Sequence, residues 1–264
     1  MKVAIIGAGN MGGAVALGLA AGSKVNEEDI IVANPSQGKL DAIKAKFPKV
    51  RTVNSNAEAV KDADFVLIAV KPWKVEEVVA EIKPVVDNSR VIIASVAAGI
   101  GTERLASLFD KGDGVVPPIF YIIPNTAISV GQSMTFIASR GASEETDAEV
   151  LGMFSELGVA MKIEERLMGA GTALASCGIA YAMRYIRAAT EGGVELGFYA
   201  KDAQKIVQQT LKGAVELLAA TGNNPEVEID KVTTPGGITI KGLNEMEHAG
   251  FTSSVIRGLK ASAK

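Results

Sequence analysis

Thr233-Thr234-Pro235-Gly236-Gly237-Ile238-Thr239, late in the chain, sets hydroxyls, a proline and two glycines directly before a helix-like run. The first backbone N–H groups of a helix have no intrahelical partner, so this spacing suits a small anion such as a carboxylate. Near the other end, Gly7-Ala8-Gly9-Asn10-Met11-Gly12 follows 2–6, which reads as a short buried strand, and precedes the apolar run 14–21. G-x-G-x-x-G between a strand and a helix has a mechanical reading. Gly7 permits the tight turn, Gly9 lets the backbone approach a pyrophosphate, and Gly12 lets the helix pack close to the strand. The chemistry implied is a dinucleotide at one loop and a small carboxylate at another.

The second strand, 29–33, decides which dinucleotide. An NAD site usually ends that strand in Asp or Glu, which binds the ribose hydroxyls and repels a 2′-phosphate. Here it runs into Asn34-Pro35-Ser36-Gln37-Gly38-Lys39. Neutral amide and hydroxyl groups with a nearby lysine accept a 2′-phosphate, so NADP is expected, although this segment contains no arginine to clamp it.

Elements at both ends must position these loops. Apolar runs at 65–70, 91–95 and 120–123, with a further strand at 51–53, alternate with helical stretches, as in a doubly wound sheet covered on both faces. Ligands of such sheets sit at the carboxyl ends of the strands, where Lys71, Ala97, Ala98, Gly99 and Asn125 fall. Asn54-Ser55-Asn56 opens a short helix, with Asn56 expected as its cap, and Ser143 heads a helix over 143–157. Past 159–163 the strand signal ends. Lys201 to Ala220 shows apolar residues at helical spacing, and 167–183 reads as a buried small-residue helix. The expected organisation is therefore an α/β nucleotide-binding domain over 1–158 and an all-α domain over 159–264. Glycines at 169, 171, 178, 192, 193, 197 and 213 would let helices approach closely, and a second subunit is the natural place to bury the surplus apolar faces.

Composition narrows the partners. The 264 residues, 48% hydrophobic, are ample for buried cores, and a net charge of −3 supplies no basic field for nucleic acid or an anionic membrane. The lone Cys177 cannot form an internal disulfide; neither a Cys/His zinc cluster nor a signal peptide is present, and a reducing cytoplasm is expected. The 17-residue uncharged run at 167–183 carries too many small polar residues for a membrane span.

Taken with Ala69-Val70-Lys71-Pro72, Ile123-Pro124-Asn125-Thr126, the Val232–Thr239 stretch and Gly250-Phe251, the glycine loop gives a chain that resembles Δ1-pyrroline-5-carboxylate reductase over essentially its full length. The resemblance implies reduction of pyrroline-5-carboxylate to proline with NADPH or NADH, the final step of proline synthesis. It also implies a dimer interlocked through the helical domain, able to assemble into a decamer, a pentamer of dimers. Matched by position, cofactor contacts fall on Gly7, Ala8, Gly9, Asn10, Met11 and Gly12, on Asn34, Pro35 and Ser36, on Asn56 near the adenosine, and on Ala69, Val70, Lys71, Pro72 and Ala97. Substrate contacts fall on Val232, Thr234, Gly236, Gly237, Ile238 and Thr239, with Glu165 ahead of the first helix of the second domain. Two positions depart from the family pattern: Ile179 stands where a proline is usual, and Tyr121 where an arginine is usual.

The proposed reaction explains the lack of an obvious acid. A cyclic imine can carry its proton on nitrogen before hydride arrives, so the sole histidine, His248 in a charged helix end, is not needed. The Gly236 and Gly237 backbone with the Thr234 hydroxyl is expected to hold the carboxylate, and Thr239 to hydrogen-bond the ring nitrogen as the catalytic residue. Thr239 read as a helix N-cap and the glycines as a tight turn remain compatible with that role. Lys71 lines the nicotinamide side with backbone and stem in one reading and donates a proton in another. Cys177 reads as a buried inert thiol. A β-hydroxyacid dehydrogenase-like enzyme would need a lysine acid on a second-domain helix, for which Lys212 is the nearest candidate; a non-catalytic NADP sensor would keep the glycine loop and have no use for Thr234 to Thr239.

Overall fold

Val3 and Ile5 face one side of the first strand and Ala4 and Ile6 the other, and all four are buried. This two-sided burial recurs along the sheet of the computed structural model, which describes residues 1–263. The elements alternate as β1 (Val3–Ile6), α1 (Asn10–Ala21), β2 (Ile30–Ala33), α2 (Gln37–Lys44), β3 (Arg51–Val53), α3 (Asn56–Val60), β4 (Phe65–Ile68) and α4 (Val75–Ile82). They continue as β5 (Ile92–Ser95), α5 (Thr102–Phe109), β6 (Ile119–Ile123), β7 (Ser133–Arg140), α6 (Glu144–Ser155) and β8 (Gly158–Lys162).

The strands form one sheet in the order β3-β2-β1-β4-β5-β6-β7-β8. Pairing is parallel from β3 to β6; β7 then runs antiparallel to β6, and β8 parallel to β7. The strand order reverses direction between β1 and β4, which makes the crevice at their carboxyl ends the switch point where dinucleotides bind. One face packs Val15 and Leu19 of α1 and Phe154 of α6 over Ile5, Val32 and Leu67. The opposite face packs Val75, Val79 and Ile82 of α4 and Leu105 and Phe109 of α5 over Ile6, Val66 and Ile93.

The chain divides into two compact units, Met1–Ser176 and Cys177–Lys264. The α/β unit therefore runs past the expected boundary at Gly158, because β8 hydrogen-bonds to β7 and the segment beyond it packs Met168 against Tyr121, Ile123 and Phe136. After β8 come α7 (Met168–Gly171) and a π-helical stretch (Thr172–Cys177). Residues 167–183 are thus not one buried helix: Met168 and Ala173 are buried, but Leu174 and Met183 lie largely exposed.

The second unit is helical throughout: α8 (Gly178–Glu195), α9 (Ala200–Thr221), α10 (Pro225–Lys231), α11 (Ile238–His248) and α12 (Phe251–Ser262). With Ile179 in the usual place of proline, Cys177 stays helical (φ −79°, ψ −37°) and the backbone enters α8 without a break. Gly193 lets α8 and α9 approach, since a Cβ there would stand 2.9 Å from the Ala203 Cβ. Ala203 is the buried hydrophobic residue of this unit, whereas Met183, Val215, Leu217, Ile238, Phe251, Val255 and Ile256 expose apolar surface within the single chain. Amphipathic helices with that much uncovered apolar area call for another surface to cover them.

Candidate active site

The glycine loop is shaped by two close approaches. Gly7 has φ 102°, and a Cβ there would sit 2.6 Å from the Ala69 carbonyl oxygen; a Cβ at Gly12 would run into the Gly7 carbonyl. Gly9 differs. It is the N-cap of α1, its missing side chain faces open space, and no side chain caps the helix. The first N–H groups of α1 therefore remain available to an anion in front of Gly9, which is the cradle a pyrophosphate needs.

Asn34, buried at the end of β2, ties this loop in place. Its Oδ1 accepts the Ala8 N–H at 3.0 Å, and its Nδ2 donates to the Ser36 carbonyl at 3.1 Å. Asn54 adds a bond to the Asn34 carbonyl. Both ends of the Asn34 amide thus bond within the protein, while Pro35, Ser36 and Lys39 stand exposed, and the Ser36 hydroxyl makes no capping bond to α2. Ser55, not Asn56, caps α3: its hydroxyl accepts the Glu58 N–H, and Asn56 is the first helical residue, with its amide on Glu81. Three neighbouring residues of capping type made that one-position choice hard to read.

Ala69 and Val70 follow β4, and Lys71 and Pro72 lead into the short 3-10 turn Pro72–Lys74, with the Lys71 side chain exposed. Ala97 is buried in the loop after β5. Ala8 to Gly12, Asn34 to Ser36, Asn56, Ala69 to Pro72 and Ala97 thus all lie at or just beyond the carboxyl ends of β1 to β5. A groove of about 710 Å³, including Gly9, Asn10, Gly13, Leu17, Lys39 and Phe47 in its lining, runs from this loop along α1.

In the helical unit, Thr234-Pro235-Gly236-Gly237 forms a type II turn. Proline occupies its second position, Gly236 its third with φ 73°, and the Gly237 N–H closes it on the Thr234 carbonyl at 2.8 Å. Gly237 has little room for a side chain, because a Cβ would meet the Thr234 hydroxyl at 2.7 Å. It is the N-cap of α11 and provides no side-chain cap. Thr239 is therefore not the cap but the second helical residue, and its hydroxyl is exposed in the first turn beside uncapped N–H groups. Lys231, which precedes the loop, is paired with Glu228 at 2.7 Å. Glu228 also accepts from Asn223, and these contacts hold its carboxyl below the ordinary glutamate value. Lys231 is thus paired within its own helix, and the uncapped groups at the turn are backbone N–H groups.

Glu165 directs its carboxylate to Thr102 at the start of α5. His248 is exposed beside Glu245, Lys212 lies on an exposed face of α9, and Cys177 is half-buried without a disulfide partner. Among the described residues no group of three or more His, Cys, Asp or Glu could hold a metal, and no helix is long and apolar enough to cross a membrane.

Comparison with known proteins decides the family. Residues 165–264 match the model for pyrroline-5-carboxylate reductase dimerisation, and 2–99 that for NADP oxidoreductase, coenzyme F420-dependent. Pyrroline-5-carboxylate reductase 2 of Dictyostelium discoideum is 36% identical over all of this chain and 91% of its own length. The chain belongs to the pyrroline-5-carboxylate reductase family. Pyrroline-5-carboxylate reductase 1 of the same organism is 39% identical over 99% of this chain, which spans 48% of that relative's length. Among solved members, the Plasmodium falciparum pyrroline carboxylate reductase with NADP bound is 27% identical with a TM-score of 0.88, covering 100% of this chain and 95% of that one. The pyrroline-5-carboxylate reductase dimerisation match spans α8 to α12, the helices whose apolar faces lie open.

Sequence reasoning missed the burial of Tyr121, whose phenol oxygen accepts the Gly99 N–H, and Thr102 as the partner of Glu165. Tyr121 lay in view as the departure from the family's arginine. Thr102 gave no signal, because its partner is 63 residues away.

Proposed function

We propose that the protein reduces 1-pyrroline-5-carboxylate to L-proline with NADPH, closing a proline-synthesis pathway. The observation that carries this reading is the Thr234–Gly237 turn feeding an uncapped α11, in a chain of this family that also holds a dinucleotide cradle. NADPH, when bound, supplies the hydride; NADH is the weaker donor, because β2 runs into Asn34 and not into a carboxylate. The residues that hold it are Gly7 to Gly12, Asn34 to Ser36, Asn56, Ala69 to Pro72 and Ala97.

The chain's part in the chemistry is to bind and orient. Backbone N–H groups at Gly236 and Ile238, with the Thr234 hydroxyl and the Val232 backbone, hold the substrate carboxylate, while the Gly237 N–H keeps the turn closed. Thr239 bonds the ring nitrogen. Hydride adds to the imine carbon, the C=N π pair moves onto the already protonated nitrogen, and a neutral secondary amine and oxidised cofactor result. No protein acid is consumed. The functional unit is a homodimer that covers the open helical faces, with a pentamer of dimers as the larger assembly, and the half-buried lone cysteine suits a reducing cytoplasm.

NADPH oxidation measured with pyrroline-5-carboxylate, with a 3-oxo acid and with no substrate tests the reading. Turnover only with the imine is expected; turnover with the oxo acid would favour a hydroxyacid dehydrogenase, and binding without turnover a sensor. Thr239→Ala should lower kcat by roughly ten- to a hundredfold, about 1–3 kcal/mol for one hydrogen bond better made in the transition state, with NADPH affinity preserved. Unchanged kcat would remove Thr239 from the mechanism.

A further inference from the structure

The loop that follows β5, residues 96–101, is held by side chains to which the reaction as described gives no chemical step. It turns through Gly99 at φ 81° and enters α5 at Thr102. It has two anchors. The phenol oxygen of Tyr121, buried on the neighbouring β6, accepts the Gly99 N–H at 3.0 Å. The Glu165 carboxylate, from the segment after β8, accepts the Thr102 N–H at 2.8 Å and also the Thr102 hydroxyl. Gly101, the N-cap of α5, brings no side chain of its own, and a Cβ there would strike the Glu165 carboxylate. A cap that most helices take from the adjacent residue is supplied here from 63 positions away.

Topology tells what this loop faces. The end of β2 receives the adenosine ribose and the β1–α1 loop the pyrophosphate, so the other half of a dinucleotide extends across the switch point toward β4 and β5. We propose that Tyr121 and Glu165 are positioning residues that clamp loop 96–101 as the wall of the nicotinamide half-site, from which Ala97 is presented. Glu165 then acts on this loop through Thr102. The inference rests on the dinucleotide-binding reading, and deepens it by dividing the site into an adenosine half independent of the clamp and a nicotinamide half that requires it.

The test uses the full-length Tyr121→Phe, Glu165→Ala and Glu165→Gln proteins. Affinity for NADPH and for 2′,5′-ADP, which carries the adenosine half and the 2′-phosphate but no nicotinamide, is titrated without substrate; kcat and KM are then measured with pyrroline-5-carboxylate. Tyr121→Phe and Glu165→Ala should weaken NADPH roughly five- to tenfold and lower kcat, with 2′,5′-ADP binding within about twofold of wild type. Glu165→Gln, whose carbonyl can still accept the Thr102 N–H, should recover most of both properties. Equal weakening of the two ligands, or no weakening of NADPH, overturns the clamp. So does a Glu165→Gln protein that binds NADPH normally yet loses imine KM as fully as Glu165→Ala, since that marks a carboxylate held on the substrate. Tyr121→Phe is nearly isosteric and decides the matter alone if Glu165→Ala fails to fold. A wild type that binds NADPH but does not turn over the imine refutes the reductase reading and leaves the clamp to be judged on binding.

Discussion

Asn34→Asp changes one atom type at the end of β2 and separates cofactor discrimination from loop support. In the wild type the Asn34 carboxamide holds the Ala8 N–H at 3.0 Å and donates to the Ser36 carbonyl at 3.1 Å. Aspartate keeps the first bond, strengthened by charge, and loses the second, at a cost of about 1 kcal/mol that falls equally on both cofactors. The new carboxylate also repels a 2′-phosphate. At ~6 Å and an effective dielectric of ~20 to 40, each pair of unit charges contributes about 1.5–3 kcal/mol, which NADH does not feel. The expected result is a fall of about ten- to a hundredfold in the NADPH/NADH ratio of kcat/KM, from a wild type that prefers NADPH. Asn34→Ala is the control: it leaves the Ala8 N–H without an acceptor and should weaken both cofactors alike. Steady-state kcat/KM for each cofactor measures both variants. An unchanged ratio in Asn34→Asp, or a wild type with equal ratios, would show that the 2′-phosphate is not held at the end of β2.

Gly236→Ala places a Cβ at φ 73° and should cost about 1–2 kcal/mol in the turn, raising KM for the imine several-fold with NADPH affinity unchanged; kinetics against both ligands checks it. Burial raises the pKa of the Glu156 carboxyl, but bonds from the Ser23 hydroxyl, Ser23 N–H and Lys24 N–H outweigh it and leave the value depressed. Its stabilisation is therefore present above the unfolded value of 4.5 and is lost as pH falls through the lower folded value, so the Tm gap to Glu156→Gln should close across that acid range. Sedimentation at assay concentration should find at least a dimer, because Leu217, Val255 and Ile256 expose apolar surface in the single chain; an active monomer would contradict this.

How much was legible from residues alone follows from how local each signal is. The glycine loop, the apolar runs of β1, β2, β4, β5 and β6 and the spacing of α9 are local patterns, and each formed its expected element. β7 escaped because Ser133 and Thr135 bury hydroxyls among its apolar residues, paired with each other at 2.9 Å, which hides the strand run. α5 escaped because its cap is Glu165, distant in sequence. One cap fell a position from where composition put it, on Ser55 in place of Asn56, and the alternative reading of Thr239 as a cap gives way to Gly237. At such sites the backbone dihedral selects among several residues that could each serve. The boundary shifted from Gly158 to Ser176 for a related reason, since β8 earns its place by pairing with β7 and not by composition.

The geometry also constrains where a proton can come from. His248 and Tyr121 are the residues whose types most readily suggest an acid for hydride transfer. His248 lies in the last turn of α11 and Thr239 in its first, a separation of about 14 Å along the helix axis, and His248 is exposed beside Glu245. Tyr121 is fixed by its bond from Gly99, and burial pushes its phenol above the ordinary value of 10.0, with Glu165 adding to the rise against the lowering effect of the Gly99 N–H. A phenol so placed holds its proton more firmly and is a poorer donor near neutral pH. Protonation of the imine before hydride arrives then assigns the high-pH limb of kcat/KM to the substrate. That limb should keep its midpoint in Tyr121→Phe and in Thr239→Ala, and a shift in either would place the protein in the proton path.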